Sequence, residues 1–360
     1  MKFDVNVKVL KAEASILRNI AESKSGVPIL SNVLIESIGT DKIKLTASNL
    51  DTILITEVPA TIKTEGAFCI SCKKLVDIIK GLDDGTMKFA VEANNWVKIT
   101  CNTAKYRVAG VGKNQFPESP IIEKDEIALD SDVLKKLIDY TCYAITQEES
   151  RFALSGAKFV LKEGTITMAA SDGNRVAIAK SYIDDQESAM DMLIPKKGLT
   201  EAVRFATNTV SISENDSFIK FRSGKRILFS RKLTGLFPNY EMAIPKDNNI
   251  TVKFDAKEFS KALERVANMA DEDNKAIKIT IEENRMLLFA NSSGEESEDI
   301  VLCKATELPE EGFSIYLNWK YMKDFIALCS KPTLFLKNAN TQAQFVDGSA
   351  MCICMPLRFN

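Results

Sequence analysis

Hydrophobic and polar residues alternate along three similar segments of the chain, a two-residue period that is typical of β-strands. The segments cover residues 42–58, 165–181 and 285–303, and each contains two alternating stretches on either side of a polar turn. Two alternating stretches around a short polar turn predict a β-hairpin. The pattern therefore predicts the same hairpin three times along the chain.

Other features recur at the same spacing, which indicates an internal repeat. Ser48, Ser171 and Ser292 hold equivalent places in the three turns and are 123 and 121 residues apart. Pro117 and Pro238, each near the end of a repeat, are 121 residues apart. This period is much longer than the roughly 20 to 50 residues of solenoid repeats. The sequence therefore predicts three domains of one fold.

A helical period predicts two amphipathic helices in each repeat. In the first helix, Leu10, Ala14 and Leu17 follow this period, and Asp130 or Ser131 is expected to cap the first helix of the second repeat. The predicted helices cover residues 8–22, 72–80, 131–146, 196–206, 257–270 and 319–328. With about eight short strands per repeat, the sequence predicts an α+β fold with two helices packed on antiparallel β-sheet in each domain. The predicted domains are 1–121, 122–247 and 248–360.

Composition narrows the possible functions. The chain is 45% hydrophobic and 27% charged, which is typical of a globular protein. No apolar run approaches the ~20 residues of a membrane helix, and the first residues lack the apolar core of a signal peptide. We therefore expect a cytoplasmic protein without membrane partners. The absence of histidine excludes Ser-His-Asp and Cys-His catalysis and every His-containing metal site.

The cysteines do not indicate a metal site or a cofactor site. The eight cysteines include two close pairs, Cys69 with Cys72 and Cys352 with Cys354. A zinc site without histidine would need four thiolates, whereas these cysteines lie in or beside apolar strand-like runs. We expect them to be small buried hydrophobic residues in a reducing compartment, and we expect neither a metal nor a cofactor.

Positive charge is concentrated on the predicted helices. They contain 16 Lys or Arg and 9 Asp or Glu, whereas the rest of the chain contains 31 and 40. The whole chain has a net charge of −2, so a nucleic-acid surface would have to be local. Helices that share one side of the sheets would form a positive surface that attracts phosphate without reading bases. Lys8, Lys136, Lys196 and Lys197 are candidates for such contacts.

Several segments carry a resemblance to a known family. They are MKFDV at the start, VPILSNVLIES at 27–37, SDGNRVAIA at 171–179, KLTGLFPNYEMAIPK at 232–246 and MPLRF near the end. With three repeats that fill the chain, the sequence resembles the bacterial DNA sliding clamps, the β subunits of DNA polymerase III. The resemblance implies a ring of two chains joined head to tail, with sheets that continue from one domain into the next. It also implies a non-catalytic protein that encircles duplex DNA without sequence specificity.

The resemblance implies partners and site residues as well. The expected partners are double-stranded DNA, a second copy of the chain, the DNA polymerase III α subunit, the clamp-loader complex and other proteins with a clamp-binding motif. Further DNA contacts are implied at Lys24, Lys73 and Phe152. A partner-peptide pocket is implied at Leu154, Ser171, Gly173, Asn174, Arg175, Val176, Pro238, Ala243, Asn318, Tyr321, Ile353, Met355, Pro356, Leu357 and Arg358. A dimer interface is implied at Lys74, Lys105, Tyr106 and Arg107 on one side, and at Met269, Glu295, Glu296, Glu298 and Asp299 on the other.

Two other functions remain open from the sequence. A carboxylate enzyme would use Asp172 as a general base, or Asp184 and Asp185 as an acid–base pair, although Asp172 in a polar turn is also a good turn cap. No phosphate-binding loop of the GxxxxGK[ST] or GxGxxG type accompanies these residues. An open scaffold of three tandem domains is the other alternative, and it would not distinguish circular from linear DNA.

Overall fold

The structure is a computed structural model of the chain. It describes residues 1–21, 26–124, 126–146, 148, 152–309 and 313–358. Its helices are α1 (Val7–Leu17), α2 (Cys72–Lys80), α3 (Ser131–Asp139), α4 (Lys196–Phe205), α5 (Ala256–Val266) and α6 (Trp319–Ile326). Within the described ranges, none of these helices is long and apolar enough to span a membrane.

Twenty-four strands accompany the helices in the described residues, eight in each third of the chain. The first third contains β1 (Lys2–Asn6), β2 (Asn32–Ile38), β3 (Lys42–Ser48), β4 (Thr52–Thr64), β5 (Ala67–Ser71), β6 (Thr86–Val91), β7 (Trp96–Cys101) and β8 (Ala104–Val111). The second contains β9 (Ile127–Asp130), β10 (Gly156–Lys162), β11 (Thr165–Ser171), β12 (Arg175–Tyr182), β13 (Met190–Pro195), β14 (Thr209–Glu214), β15 (Phe218–Ser223) and β16 (Arg226–Arg231). The third contains β17 (Ile250–Phe254), β18 (Ala276–Ile281), β19 (Arg285–Ser292), β20 (Glu295–Thr306), β21 (Phe313–Asn318), β22 (Thr333–Leu336), β23 (Ala343–Asp347) and β24 (Ala350–Cys354).

The strands form two antiparallel sheets of twelve strands each. The first has the order β1-β6-β7-β8-β5-β2-β3-β4-β16-β15-β14-β9, and the second has the order β13-β10-β11-β12-β24-β23-β22-β17-β20-β19-β18-β21. Strands of the middle repeat therefore join both sheets, through β4–β16 in one and β12–β24 in the other. The expected continuation of the sheets from one repeat into the next is confirmed.

The chain divides into two compact units, each built around one sheet. The first unit consists of Met1–Leu134 and Lys197–Lys232, and the second of Lys135–Lys196 and Leu233–Asn360. The middle repeat is thus shared between the units, which the repeat spacing alone does not indicate. The α+β fold of three repeated domains is confirmed, whereas the domain boundaries at 121 and 247 stay predictions.

Equivalent caps begin the first helix of each repeat. Asn6, Asp130 and Asp255 each accept, through a side-chain oxygen, a hydrogen bond from the backbone N–H two residues later, at 2.9, 2.7 and 2.9 Å. Such caps satisfy backbone donors that the first helical turn leaves without a partner. Of the two caps expected for α3, the structure therefore supports Asp130.

Three predicted helices are shorter than the sequence pattern indicates. The predictions over 8–22, 131–146 and 257–270 extend beyond α1, α3 and α5, which end at Leu17, Asp139 and Val266. The chain continues after α3 and α5 as 3₁₀ turns, because hydrogen bonds between residues three apart replace the α-helical ones. Apolar periodicity persists through such a turn, so it does not reveal where the α-helix stops.

The three predicted hairpins are confirmed as β3–β4, β11–β12 and β19–β20. Two residues after the equivalent serines, the backbone adopts a left-handed conformation in every turn, with φ of 76° at Leu50, 91° at Gly173 and 87° at Gly294. Glycine adopts this conformation without cost, whereas a branched side chain is strained there. The repeat therefore preserves the turn geometry even where the sequence has leucine.

A buried carboxylate connects α1 to β16 within the first unit. Glu13 is 3% exposed, and its two oxygens accept 2.9 Å hydrogen bonds from Nη2 and Nε of Arg226. Thr56 donates a further hydrogen bond of 2.8 Å, and Lys225 lies 3.1 Å away. Burial alone would raise the pKa of Glu13, but the hydrogen bonds and positive charges outweigh it and lower that pKa.

All eight cysteines are free thiols, and six of them are buried. Cys352 and Cys354 point to the same side of β24, with their Sγ atoms 3.8 Å apart. The prediction that the cysteines are small buried hydrophobic residues is confirmed for the six buried ones, whereas Cys303 and Cys329 are half-buried. The described residues include no group of three or more Cys, Asp or Glu side chains that could hold a metal ion.

Candidate functional site

The turn between β11 and β12 is held by its own side chains. Ser171 Oγ accepts a 3.1 Å hydrogen bond from the N–H of Gly173 and donates one of 2.8 Å to the carbonyl of Arg175. Asp172 Oδ1 accepts hydrogen bonds from the N–H groups of Asn174 and Arg175 at 3.0 and 3.1 Å. Asp172 therefore caps this turn, as one of the two sequence interpretations expects.

Arg175 connects this turn to α6 and to the segment after α3. Its guanidinium donates to Asp172 Oδ2 at 3.0 Å, to Asp324 Oδ2 at 2.7 Å and to the carbonyl of Tyr143 at 2.7 Å. It also lies over the rings of Tyr143 and Tyr321, at 4.9 and 4.4 Å from their centroids. Since the side chain is only 7% exposed, these contacts replace the water that it loses on folding.

The electrostatics keep Arg175 charged in this buried position. Burial on its own would lower the pKa of Arg175, but the hydrogen bond to Asp324 and the charges of Asp172 and Asp324 outweigh it and raise that pKa. The result is a fixed cation whose position is determined from three sides. Such a group can orient the turn and α6 as one rigid surface.

The end of the chain lies against the same turn. Met355 donates a 3.0 Å backbone hydrogen bond to the carbonyl of Asn174, and Leu357 donates one of 2.8 Å to the carbonyl of Tyr316 on β21. The side chain of Met355 is nevertheless 44% exposed, and Pro356 and Leu357 are half-buried. The backbone of this segment is therefore held in place, while its apolar side chains remain partly accessible.

Apolar side chains form the surface next to this turn. Val176 is paired with Ile353 across β12 and β24, and Ile353, Ala169 and Ile178 form a buried cluster. The partly buried residues that pack on this cluster are Val176, Phe237, Tyr240, Ile244 and Met351. A cavity of about 610 Å³ continues beside it and is lined by residues that include Ile178, Tyr240 and Ile244.

The structure brings many of the predicted pocket residues into one region of the second unit. Ser171, Gly173, Asn174, Arg175 and Val176 share the turn and the start of β12. Asn318 caps α6 by accepting a 3.0 Å hydrogen bond from the N–H of Lys320, Tyr321 contacts Arg175, and Met355 reaches Asn174. Leu154 is half-buried and accepts a 3.1 Å backbone hydrogen bond from Thr146. The remaining predicted residues are accessible to different degrees: Pro238 and Arg358 are exposed, and Ala243 is half-buried.

Several residues of this region were not among the pocket residues predicted from the sequence. Phe237, Tyr240 and Ile244 lie within a segment that carries the family resemblance, so their apolar character is a usable signal. Tyr143 and Asp324 hold Arg175 from distant parts of the chain. Neither has a local sequence signal, because a contact across 149 residues depends on the tertiary fold.

Five of the seven predicted DNA contacts are lysines on α-helices of the two units. Lys8 on α1, Lys73 on α2 and Lys197 on α4 are exposed residues of the first unit. Lys136 on α3 is exposed, and Lys196 at the start of α4 is half-buried; both belong to the second unit. Lys24 lies outside the described residues. Phe152 begins the 3₁₀-helix Phe152–Leu154, and its side chain is likewise outside the described part of the structure.

The two predicted halves of the dimer interface belong to different units. In the first unit, Lys74 and Lys105 are exposed and Tyr106 is half-buried, while Arg107 donates to Glu92 at 2.8 Å and lies over the ring of Trp96. In the second unit, Met269 is 36% exposed. The acidic residues of the second half begin strand β20 and are Glu295, Glu296, Glu298 and Asp299. The carboxylate of Asp299 accepts a 2.5 Å hydrogen bond from Arg265.

Each of these halves includes a free strand edge. Residues 104–109 of β8 pair with β7 on one side, and only Gly110 and Val111 pair with β5 on the other. Residues 295–302 of β20 pair with β19, and only residues 303–306 pair with β17. Among the described residues, no strand covers the second edge of either segment. Free edges present unpaired N–H and C=O groups that favour pairing with another chain.

Two of the three carboxylates considered for catalysis, Asp172 and Asp185, have structural partners instead. Asp185 Oδ1 accepts backbone hydrogen bonds from Glu187 and Ser188, at 3.0 and 2.9 Å. Hydrogen bonds from the side chain and backbone of Ser188 lower the pKa of Asp185. A lowered pKa makes a carboxylate a weaker base, which is opposite to what general-base catalysis requires.

Comparison with known proteins gives one consistent result. Three family models match the chain: DNA polymerase III beta subunit N-terminal domain over residues 1–120, central domain over 128–239 and C-terminal domain over 241–351. The beta sliding clamp of Caulobacter vibrioides is 28% identical and covers 99% of this chain and 100% of its own length, and that of Bacillus subtilis is 25% identical at the same coverage.

Solved structures agree with the sequence comparison. The chain matches the DNA polymerase sliding clamp of Caulobacter crescentus with a TM-score of 0.92 at 25% identity, over 100% of both chains. It matches the sliding clamp of Bacillus subtilis with a TM-score of 0.95 at 22% identity, again over 100% of both. The three matched domains together extend over nearly the whole chain, and it belongs to the bacterial DNA polymerase III β-subunit family, the DNA sliding clamps.

Proposed function

We propose that two copies of this DNA sliding clamp pair head to tail and form a closed ring around duplex DNA. Each copy contributes three domains, at residues 1–121, 122–247 and 248–360, and the ring keeps a polymerase on its template. The free strand edge at residues 104–109 of one copy pairs with the free strand edge at residues 295–302 of the other. The single observation that carries this proposal is the presence of two free edges of opposite charge in one chain.

Charge and apolar surface both favour this pairing. Lys105 and Arg107 are exposed on β8, whereas Glu295, Glu296 and Glu298 are exposed on β20. Opposite charges select the correct edges and speed association more than they add affinity. Ile300 and Leu302 on β20 are 51% and 70% exposed, and covering them would supply the hydrophobic part of the interface.

The proposed DNA contacts are diffuse and independent of base sequence. Exposed lysines such as Lys8, Lys73, Lys136 and Lys197, with Lys196 and Lys24, would attract phosphate by counterion release. Phe152 would add an uncharged contact to the same surface. Contacts of this kind carry no sequence information, which allows the ring to slide. The clamp itself performs no chemical step and needs neither metal nor cofactor. We place it in the cytoplasm, where replication takes place.

The partner-peptide pocket is proposed around Arg175. The partly exposed apolar side chains of Val176, Met355 and Leu357 suit a short hydrophobic motif, and flexible methionine adapts to different side chains. The turn next to Arg175 gives the pocket a rigid border, because Ser171 and Asp172 already hold its backbone N–H groups. The α subunit of DNA polymerase III, the clamp-loader complex and other proteins with a clamp-binding motif would compete for this pocket.

The decisive experiment combines solution mass with DNA topology. Light scattering should give about twice 39.9 kDa. After loading onto nicked circular DNA by a bacterial clamp loader with ATP, the protein should remain on the circle through gel filtration and dissociate after a single restriction cut. The matched control is the Ile300→Asp variant, which should be monomeric. It should dissociate from circular DNA as fast as it dissociates from linear DNA. Equal retention on circular and linear DNA would contradict the ring and favour an open scaffold.

A further inference from the structure

The first unit contains a cavity at the place that corresponds, by the internal repeat, to the partner-peptide pocket of the second unit. Its volume is about 420 Å³. Five of its lining residues have counterparts among the pocket residues, and they are Ser48, Leu50, Ile53, Pro117 and Arg231. Their counterparts in the second unit are Ser171, Gly173, Val176, Pro238 and Met355.

Strand register supports this correspondence. Ile53 pairs with Phe229 across β4 and β16, just as Val176 pairs with Ile353 across β12 and β24. Two residues beyond the Ile53–Phe229 pair, the N–H of Arg231 donates a 2.7 Å backbone hydrogen bond to the carbonyl of Asp51. This matches the 3.0 Å hydrogen bond from Met355 to the carbonyl of Asn174 in the second unit. The two turns therefore present the same backbone frame.

The floors of the two sites are also alike. Ile53, Phe229 and Ile122 form a buried cluster on which Ile55, Phe218 and Ile227 pack. Beside it, Leu50 and Ile121 line the cavity with 46% and 79% of their surface exposed. Exposed apolar groups next to an apolar cluster mark an interaction site more often than isolated ones do.

The two sites differ in charge. Where the second unit has Met355, the first unit has Arg231, whose Nε donates a 2.9 Å hydrogen bond to Asp51 Oδ1. Both side chains are accessible, at 49% and 72% exposure, and the guanidinium lies 4.7 Å from the centroid of the Phe218 ring. An exposed ion pair of this kind contributes little stability, so an incoming carboxylate can take the place of Asp51 at small cost. The cavity thus combines apolar side chains with a cation at its rim, while Glu118 and several neutral polar residues also line it.

We infer that this cavity is a second docking site, and that its ligand is a short extended peptide with two or three apolar side chains and one acidic residue. The apolar side chains pack against Ile53, Phe218 and Ile121, and the acidic residue pairs with Arg231. The inference rests on the proposed function of the second unit, because that function gives the repeated geometry its meaning. The acidic preference distinguishes the new site from the pocket around Met355.

The test is a methyl NMR titration of the full chain. The probe is an acetylated pentapeptide amide that contains two leucines, one phenylalanine, one aspartate and one serine. Signals of Ile53 and Ile121 report on the cavity, and the signal of Ile353 reports on the proposed pocket. Shifts of the cavity signals that saturate with peptide support the second site. Replacing the aspartate of the probe by asparagine should weaken binding at the cavity about tenfold and change binding at the pocket less.

Variants separate the two sites. Arg231→Glu and Ile121→Asp should each weaken binding at the cavity at least tenfold while the Ile353 signal still shifts, and both changes are at accessible side chains that leave the core intact. Met355→Asp is the matched change in the second unit and should abolish only the Ile353 shift. If only Ile353 responds to the probe, the second site is wrong and the proposed pocket stands. If only the cavity signals respond, the pocket is wrong and the second site stands, and if neither responds, both are wrong.

Discussion

Arg175 on β12 and Asp324 on α6 are joined by a 2.7 Å hydrogen bond between Nη1 and Oδ2, although 149 residues separate them in the chain. This contact fixes the distance between the capped turn of the pocket and the helix that carries Tyr321. The proposed pocket is therefore formed by two elements whose relative position depends on one guanidinium. Changing that guanidinium should affect peptide binding and stability together.

Arg175→Lys should lower the stability of the second unit and weaken the binding of a hydrophobic clamp-motif peptide. A lysine ammonium cannot donate in three fixed directions, so at least one of Asp324, Asp172 and the Tyr143 carbonyl loses its partner. We expect a loss of about 2 kcal/mol in unfolding free energy, in line with other buried charged hydrogen bonds. Urea denaturation and peptide fluorescence polarisation would measure both effects.

The control for this change is Arg285→Lys. Arg285 is exposed and pairs with Glu282 at 2.6 Å in a hairpin turn. Because exposed ion pairs contribute little, stability and peptide binding should stay nearly unchanged. Equal effects of the two substitutions would show that Arg175 has no special role in the pocket.

Low pH should lower the stability of the first unit, because Glu13 takes up a proton. The pKa of this carboxyl is below its usual 4.5 in the folded chain, because Arg226 and its other partners outweigh the effect of burial. A lowered pKa stabilises the folded chain above the ordinary pKa of glutamate, and this stabilisation disappears as the pH falls through the lowered value. Unfolding free energy should therefore decrease below about pH 4.5 as Glu13 takes up a proton.

Glu13→Gln isolates this contribution. At neutral pH the variant should be about 3 kcal/mol less stable, because it leaves Arg226 half-buried without its charged partner. As the pH falls below 4.5, the difference from the unaltered chain should become smaller, since the lowered pKa of Glu13 stabilises the folded chain less and less. Guanidinium denaturation of both proteins at pH 7, 5, 4 and 3 gives the comparison. A difference that does not change with pH would exclude the ionised carboxylate as its cause.

Regular spacing made the hairpins, the helices and the repeat predictable. Ser48 and Ser171 mark equivalent turns because strand alternation and turn polarity are local properties of the sequence. Helix ends were less predictable, since the 3₁₀ turn at Ala267–Met269 keeps the apolar pattern of α5. The sharing of the middle repeat between two units depends on the pairing of β4 with β16, which has no local signal.

The candidate site likewise combines residues with a local sequence signal and residues whose role depends on the tertiary fold. Met355 and Leu357 could be proposed as pocket residues because their segment resembles the family, and Arg175 because it follows a polar turn in such a segment. Asp324 and Tyr143 could not, because their role depends on where distant elements meet. Similarly, the cavity beside Arg231 could be found only after strand register aligned the two units.

The thiols should be largely inert in the folded chain. Burial raises the pKa of Cys69, Cys72 and Cys142 to about 12 and that of the half-buried Cys303 to about 11. Since the thiolate is the reactive form, a thiol reagent at pH 8 should label few sites until the chain unfolds. Ellman's reagent, with and without guanidinium, would count the reactive thiols. Rapid labelling of most cysteines in the native protein would contradict this.

Exposed lysines on the helices should contribute equally to the affinity for DNA duplexes of any sequence. Replacing Lys73 or Lys197 by alanine should reduce the slope of log affinity against log salt by about 1 for each phosphate that the lysine neutralises. The weakening should be the same for unrelated duplexes, because phosphate contacts do not read bases. Fluorescence anisotropy at several salt concentrations measures the slope, with Lys162→Ala in a hairpin turn as the control. An unchanged slope in the helix variants would remove these lysines from the DNA surface.

The charged strand edges predict how the proposed dimer responds to salt and to charge reversal. Lys105 on β8 and Glu298 on β20 are exposed and opposite in sign, so a dimer that pairs these edges should dissociate more readily in 500 mM than in 50 mM salt. Glu298→Lys should weaken the dimer by reducing the negative charge of the β20 edge, and Lys105→Glu should weaken it by cancelling the positive charge of the β8 edge. Sedimentation velocity over a concentration series gives the dissociation constants.

The double variant separates charge pairing from simple damage to either strand. If the two edges meet in the dimer, combining Glu298→Lys with Lys105→Glu restores opposite signs at these two positions and should recover part of the affinity. If each substitution only damages its own strand, the two effects add and the double variant is weaker than either single one. Exposed ion pairs contribute about 1 kcal/mol or less, so recovery of up to fivefold is the expected range. A dimer whose dissociation ignores both salt and charge reversal would place the interface on another surface.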